Sequence, residues 1–129
     1  MIEHVLVYGT LRPGHGAYHA FDLAHQSEHL QTVRVEGTMY DLGSFPGVKL
    51  DGNPDGFVCD LLKITNPDVL RRLDAYEGYR PDFPNNSLYL RQTVEVADIG
   101  AAYIYEYNDS VGARPRVSSG DWTQWKANG

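Results

Sequence analysis

The chain has 129 residues, a formal net charge of −6 and 42% hydrophobic residues. That length and apolar content fit one globular domain over residues 1–129, with no linker or repeat to divide it. The acidic balance argues against nucleic acid as a partner, because phosphate contacts need a basic surface.

No apolar run approaches the length of a membrane span. The segment Met1-Ile2-Glu3-His4 lacks the basic and apolar regions of a signal peptide. Cys59 is the one cysteine, so no intrachain disulfide framework can form. These features predict a cytoplasmic protein that does not enter membranes.

Val5 to Tyr8 is an apolar run of strand length, and it stops at Gly9. The chain then turns through Thr10 and Leu11 into Arg12-Pro13-Gly14. A glycine there permits a backbone conformation closed to other residues, or lets another group approach the main chain closely. Such a loop can aim its N–H groups at an anion, and a tight turn with no ligand is the plainer reading. A short helix is expected over Ala17–Ala24.

Gly37–Leu42 reads as the second strand, with Val33–Glu36 extending or preceding it. Asn53-Pro54-Asp55-Gly56 is a turn signal that leads into a third strand, Gly56–Ile64. A helix follows. Asn66 is placed to cap it, Pro67 suits its first position and Asp68 complements its dipole. Val69, Leu73 and Tyr76 share one stripe, and Gly78 marks the stop. Leu88–Val96 and Ala101–Tyr107 read as the fourth and fifth strands, the last rich in tyrosine. Six short strands with one or two helices predict an α+β domain whose sheet closes to remove its edges. Strand count alone leaves an open sheet as the other arrangement.

Glu77 lies at the C-terminal edge of the apolar stripe. Facing inward, it meets two effects that raise a carboxyl pKa: burial and the negative end of the helix dipole. Facing outward, it is an ordinary helix-end glutamate. The histidine pairs His15/His19 and His25/His29 have i,i+4 spacing, which suits a metal on a helix. Gly14 and Gly16 flank His15 and argue against a helix there, so solvent-facing histidines and no metal are expected. Cys59 reads as a buried small hydrophobe. No phosphate-binding glycine motif or Gly-x-Ser-x-Gly elbow occurs.

Tyr8-Gly9-Thr10-Leu11 and Asp74-Ala75-Tyr76-Glu77-Gly78 together resemble the gamma-glutamylcyclotransferase-like (AIG2-like) family. That family has a Tyr-Gly-(Ser/Thr)-Leu loop and an Asp-x-(Tyr/Phe)-Glu-Gly pattern. Phe45-Pro46-Gly47-Val48, Tyr89-x-Arg91 and the tail Arg116–Trp122 extend the resemblance along the chain. It implies a small, mostly antiparallel mixed β-barrel with a few short helices. It implies conversion of a γ-glutamyl amine or amino acid to 5-oxoproline and the free amine, with no cofactor. Glu77 is implied as the general acid/base, and Tyr8, Gly9, Thr10 and Leu11 as the loop that holds the glutamyl part. Tyr89 and Tyr103 are implied to line the cavity. The implied partner is a small γ-glutamyl substrate, bound by a monomer or homodimer. A binding module that recognises such ligands without turning them over is the alternative. One segment departs from the family: Cys59-Asp60-Leu61-Leu62 stands where members often carry Gly-Glu-Val-(Tyr/Trp). A side chain at Cys59 and the loss of the aromatic at Leu62 are expected to narrow or alter the pocket.

Overall fold

The N-terminal apolar run forms strand β1 (His4–Val7), the middle strand of a five-stranded sheet. Its side chains are buried on both faces, which is why the run is continuous rather than alternating. The computed structural model describes residues 2–128. Met1 and Gly129, the outer limits of the expected domain, lie outside the described residues.

Two short helices follow, α1 (Gly16–Ala20) and α2 (Leu23–Gln26). The single helix expected over Ala17–Ala24 is broken at Asp22, whose backbone is left-handed at φ 55°. Next come β2 (Ser27–Val35), the hairpin β3 (Thr38–Asp41) and β4 (Pro46–Lys49), and β5 (Phe57–Ile64). Helix α3 (Asp68–Tyr76) precedes β6 (Tyr89–Val96), β7 (Gly100–Tyr107) and the C-terminal α4 (Trp122–Asn128).

The sheet order is β2-β5-β1-β7-β6, with β1 antiparallel to β5 and parallel to β7. The expected closed barrel does not form. Closure would need β2 to pair with β6, directly or through the β3–β4 hairpin. The hairpin instead pairs with itself, and among the described residues its one strand pairing outside itself is an isolated bridge from Tyr40 to Arg116. The fold is therefore an open mixed sheet, mostly antiparallel, with a hairpin and short helices packed on it.

Each face of the sheet has its own core. On one face Leu6, Phe57, Cys59, Leu61 and Ile104 meet Met39 and Val48 of the hairpin and Trp122 of α4. On the other, Val5, Val7, Leu62 and Tyr105 meet Leu23 of α2 and Val69 and Leu73 of α3. Burying each such side chain contributes about 1.5–3 kcal/mol.

Helix α3 begins and ends as its residues dictate. The Asn66 side chain accepts the Asp68 N–H at 3.1 Å. At the other end Gly78 has φ 69°, and its N–H donates to the Ala75 carbonyl while the Tyr79 N–H donates to that of Asp74. This paired bond pattern closes the helix with a left-handed glycine. Asp74, on the inner face, then anchors the helix to the sheet. Its carboxylate accepts the Tyr105 hydroxyl of β7 at 2.6 Å and an Arg91 N–H of β6 at 2.6 Å. The Arg91 guanidinium in turn lies over the Tyr103 ring, 4.4 Å from its centroid.

This anchor predicts that Asp74→Ala lowers the unfolding free energy by about 3 kcal/mol or more, because it strands a partly buried guanidinium. Asp68→Ala, which breaks an exposed pair with Arg71, should change it little. Urea unfolding of both variants measures the difference, and equal effects would show that Asp74 anchors nothing.

Candidate active site

The C-terminal ends of β1 and β7 run parallel and open into a cavity of about 220 Å³. The end of β1 and the loop Tyr8-Gly9-Thr10-Leu11 form its floor. Tyr76 and Glu77 enter from the end of α3, Tyr89 and Tyr105 from β6 and β7. Phe45, Pro46 and Leu88 complete the wall and mouth.

Gly9 is where the floor and the wall meet. A Cβ on Gly9 would lie 2.7 Å from Cγ of Pro46. Of the two uses expected for this glycine, close approach is the one the fold employs. Its φ is not in the left-handed range. Pro46 is held from the other side by the Tyr89 hydroxyl, which donates to the Pro46 carbonyl at 2.7 Å. The Tyr8 hydroxyl donates to the Tyr105 carbonyl.

Beyond Gly9 the chain makes a tight turn, closed by the Arg12 N–H donating to the Gly9 carbonyl at 3.1 Å. The N–H groups of Gly9, Thr10 and Leu11 have no acceptor among the described residues. Three consecutive unpaired donors beside a cavity are an arrangement able to hold an anionic oxygen. Two ties hold the turn. Thr10 Oγ1 is 3.0 Å from the Tyr76 hydroxyl. Arg12 donates to Asp60 at 2.7 Å and to Asp121 at 2.9 Å, fixing the loop to β5 and to the start of α4. Burial alone would raise the Asp60 carboxyl, but bonds from Arg12, His29 and Thr32 outweigh it and hold that pKa low.

Glu77 follows the last residue of α3 and points its carboxyl into the cavity wall. Among the described residues burial is the sole influence on that carboxyl, with no hydrogen-bond donor or cation acting on it. Burial pushes its pKa up to about 7. Tyr8 and Tyr89 are raised well above their ordinary value, first by burial and then by neighbouring groups that include Glu77. Both therefore stay neutral hydroxyls at physiological pH. The inward orientation of Glu77 is thus the one observed.

The cavity brings together Tyr8, Gly9, Thr10, Leu11, Glu77 and Tyr89. It does not include Tyr103. That residue is level with Val5, one step back from the open end of the sheet, and its ring lies under Arg91. Tyr105, two residues on, lines the cavity instead. Sequence reasoning gave no role to Asp74, although it opens the same Asp-x-Tyr-Glu-Gly pattern as Glu77. Cys59 and Leu62 are fully buried in the two cores and neither lines the cavity, so the expected narrowing at Cys59 does not arise. Burial pushes the Cys59 thiol up, away from reactivity.

The histidines serve the scaffold. His15 bonds Thr123 at 2.8 Å, and His25 pairs with Asp22 at 2.7 Å. His29 bonds Asp60 at 2.9 Å from β2, so it is held rather than free in solvent. His25 and His29 lie on different elements and share no helical face. Among the described residues no three metal-ligating side chains cluster, and no helix is long and apolar enough to cross a membrane.

The family described as "Gamma-glutamyl cyclotransferase, AIG2-like" matches residues 5–124. A protein of Vibrio cholerae named "Putative gamma-glutamylcyclotransferase" is 32% identical over 120 residues, covering 93% of this chain and 95% of its own. One of the same name from Halalkalibacterium halodurans is 34% identical over 102 residues, covering 78% and 90%. The crystal structure of an AIG2-like protein from Mus musculus superposes with a TM-score of 0.69 at 18% identity, covering 92% of this chain and 87% of its own. The matched span of 5–124 contains every cavity residue just described, from Leu6 to Tyr105, and the chain belongs to the AIG2-like gamma-glutamyl cyclotransferase family.

Proposed function

We propose that the cavity converts a γ-glutamyl amine or amino acid to 5-oxoproline and the free amine, with Glu77 as general base and then general acid. The observation that carries this reading is one carboxyl, bare of partners and with a pKa near 7, beside three unpaired main-chain N–H groups. A group poised near neutrality both takes and returns a proton efficiently.

The α-ammonium of the substrate gives a proton to Glu77. The freed amine attacks the γ-carbonyl carbon of the same molecule, forming a five-membered ring and a tetrahedral oxyanion. The bond to the leaving nitrogen then breaks as Glu77 passes its proton to that nitrogen, and the extra proton left on the ring nitrogen goes to the departing amine, which leaves as its ammonium and leaves the ring a neutral lactam. The loop N–H groups of Gly9, Thr10 and Leu11 suit an anionic oxygen of the glutamyl part, or the oxyanion itself. No cofactor enters, because the nucleophile belongs to the substrate. Holding a flexible glutamyl chain in attack geometry is the main task, and well-oriented intramolecular reactions gain about 7–11 kcal/mol. Each chain carries its own set of these residues, so a monomer suffices. The buried, unpaired cysteine suits a reducing cytoplasm.

Glu77→Gln should keep the fold and lose about 10²-fold or more of the activity, since an amide cannot accept the proton. The same variant carries a second expectation. The Glu77 pKa is raised from the ordinary 4.5 to about 7, so the folded protein bears a cost for ionising it. That cost is absent below the unfolded value, grows as pH rises through about 7, and is complete above. Urea unfolding should therefore find Glu77→Gln more stable than wild type at pH 8 and equal to it near pH 4. A variant with near-normal turnover would remove Glu77 from the mechanism.

Cyclisation also fixes where oxygen goes. In ¹⁸O-labelled water the 5-oxoproline should carry no label, and a substrate with an acylated α-amine should be inert. Labelled glutamate would mean hydrolysis. Thermal stabilisation by γ-glutamyl compounds without any turnover would mean a binding module.

A further inference from the structure

The two working parts of the cavity sit on separate segments. The N–H groups of Gly9, Thr10 and Leu11 belong to the turn after β1, and Glu77 follows the last residue of α3. In the cyclisation one substrate must reach both, with its amine at Glu77 and an anionic oxygen at the loop. The spacing between them therefore bears on the rate, since a misplacement of about 1 Å can cost about 10²-fold. No donor or cation acts on the Glu77 carboxyl to hold it in place. Its position is set by the backbone at the end of α3.

Among the described residues one hydrogen bond joins the two segments: Thr10 Oγ1 and the Tyr76 hydroxyl are 3.0 Å apart. Thr10 carries the middle donor of the loop, and Tyr76 is the residue before Glu77. The other side-chain ties of each segment lead elsewhere. Tyr8 bonds Tyr105, and Arg12 bonds Asp60 and Asp121. Asp74 bonds Tyr105 and Arg91. The Tyr76 ring is steadied from outside the cavity. Phe21 meets it edge-on with ring centroids 5.1 Å apart, and the Arg72 guanidinium lies 5.2 Å from the Phe21 centroid. Tyr76 is 48% exposed, so a neutral bond from its hydroxyl adds little to the stability of the fold. The Asp-x-(Tyr/Phe)-Glu-Gly pattern accepts phenylalanine at this place, which keeps the ring and lacks the hydroxyl. The bond is thus a property of this chain and not of the pattern.

We infer that Tyr76 is a positioning residue: its hydroxyl, bonded to Thr10, fixes the spacing between the carboxyl that exchanges the proton and the loop that holds the anionic oxygen. This rests on the cyclisation reading of the same cavity. The hydroxyl transfers no proton and touches no reacting atom. It ties the loop to the helix end, so that a substrate held by the loop has its amine within reach of Glu77. Without the bond the glutamyl part still binds the loop, and fewer bound substrates meet the base.

The test uses Tyr76→Phe, Thr10→Val, Thr10→Ser and the combination of Tyr76→Phe with Thr10→Val. The readout is 5-oxoproline formed from γ-glutamylalanine and from γ-glutamyl benzylamide. Tyr76→Phe and Thr10→Val should each lower kcat about tenfold and leave KM within about twofold, the pattern of a loss felt in the transition state alone. Thr10→Ser keeps the oxygen and should keep kcat near that of wild type. The combined variant should be no slower than either single one, because both remove the same bond. Tm should stay near the wild-type value in all four. A combined loss equal to the product of the two single losses means that the hydroxyls act separately, and it overturns the inference. So does an unchanged kcat in Tyr76→Phe, a rise in KM alone, or a fall in activity that tracks a fall in Tm. Should Thr10→Val misfold, kcat and KM of Tyr76→Phe decide. No 5-oxoproline from either compound with the wild type overturns the cyclisation reading and this inference with it.

Discussion

The contact between Gly9 and Pro46 sets the geometry on which the cavity depends. Strand β1 ends where a side chain would collide with the proline ring, at 2.7 Å from Cγ. Only because that side chain is missing does the β3–β4 hairpin settle against the end of the sheet. Once there, Pro46 offers its carbonyl to Tyr89 and its neighbour Phe45 to the cavity mouth. Arg12, three residues past Gly9, pins the turn to Asp60 and Asp121. The loop is thus clamped at both ends while its central N–H groups stay unpaired, the preorganisation an anion site needs.

Three acidic residues are drawn into the molecule, and their surroundings give them different chemistry. Asp60 is met by Arg12, His29 and Thr32, which keep it ionised. Asp74 is met by Arg91 and the Tyr105 hydroxyl and joins helix to sheet. Glu77 is met by neither cation nor donor, and burial carries its pKa to about 7. The two aspartates and the glutamate are separated by the partners their surroundings give them. A buried carboxylate with full bonding holds structure, and one left bare is available to exchange a proton. The chain places both kinds within four residues, since Asp74 fixes the helix whose end presents Glu77.

Much of this was legible in the residues. The apolar run at Val5–Tyr8 signalled a doubly buried strand. Asn66 and Gly78 bounded α3 closely enough to put Glu77 at its end. The loop and the Asp-x-Tyr-Glu-Gly pattern named most of what the cavity assembles. What escaped has physical reasons. Strand β2 is an edge strand with no fully buried residue and a bulge between His29 and Gln31, so it carries no alternating pattern to read. Strand β4 starts Pro-Gly, which reads as a loop, and proline is tolerated there because it opens a strand in a two-stranded sheet. The closed barrel was expected from the need to remove sheet edges and from the family resemblance, while strand count left the open sheet standing, since it says nothing of whether a hairpin joins the main sheet or packs over it. Tyr103 and Tyr105 share a face, and only the β1–β7 register decides which of them reaches the open end.

The departures at Cys59 and Leu62 sit in the cores and not in the cavity. Differences there change how the sheet packs against its two covering layers, and they leave the reacting groups where they are. The mouth is built otherwise. Phe45 lies in the turn between β3 and β4, and Leu88 lies just before β6. Neither is fully buried, so replacing either costs the core little. The floor is different: Gly9 tolerates no side chain, and Tyr8, Tyr89 and Tyr105 are each tied by a hydroxyl bond. The cavity thus has a floor fixed by packing and hydroxyl bonds and a mouth whose side chains are free to vary.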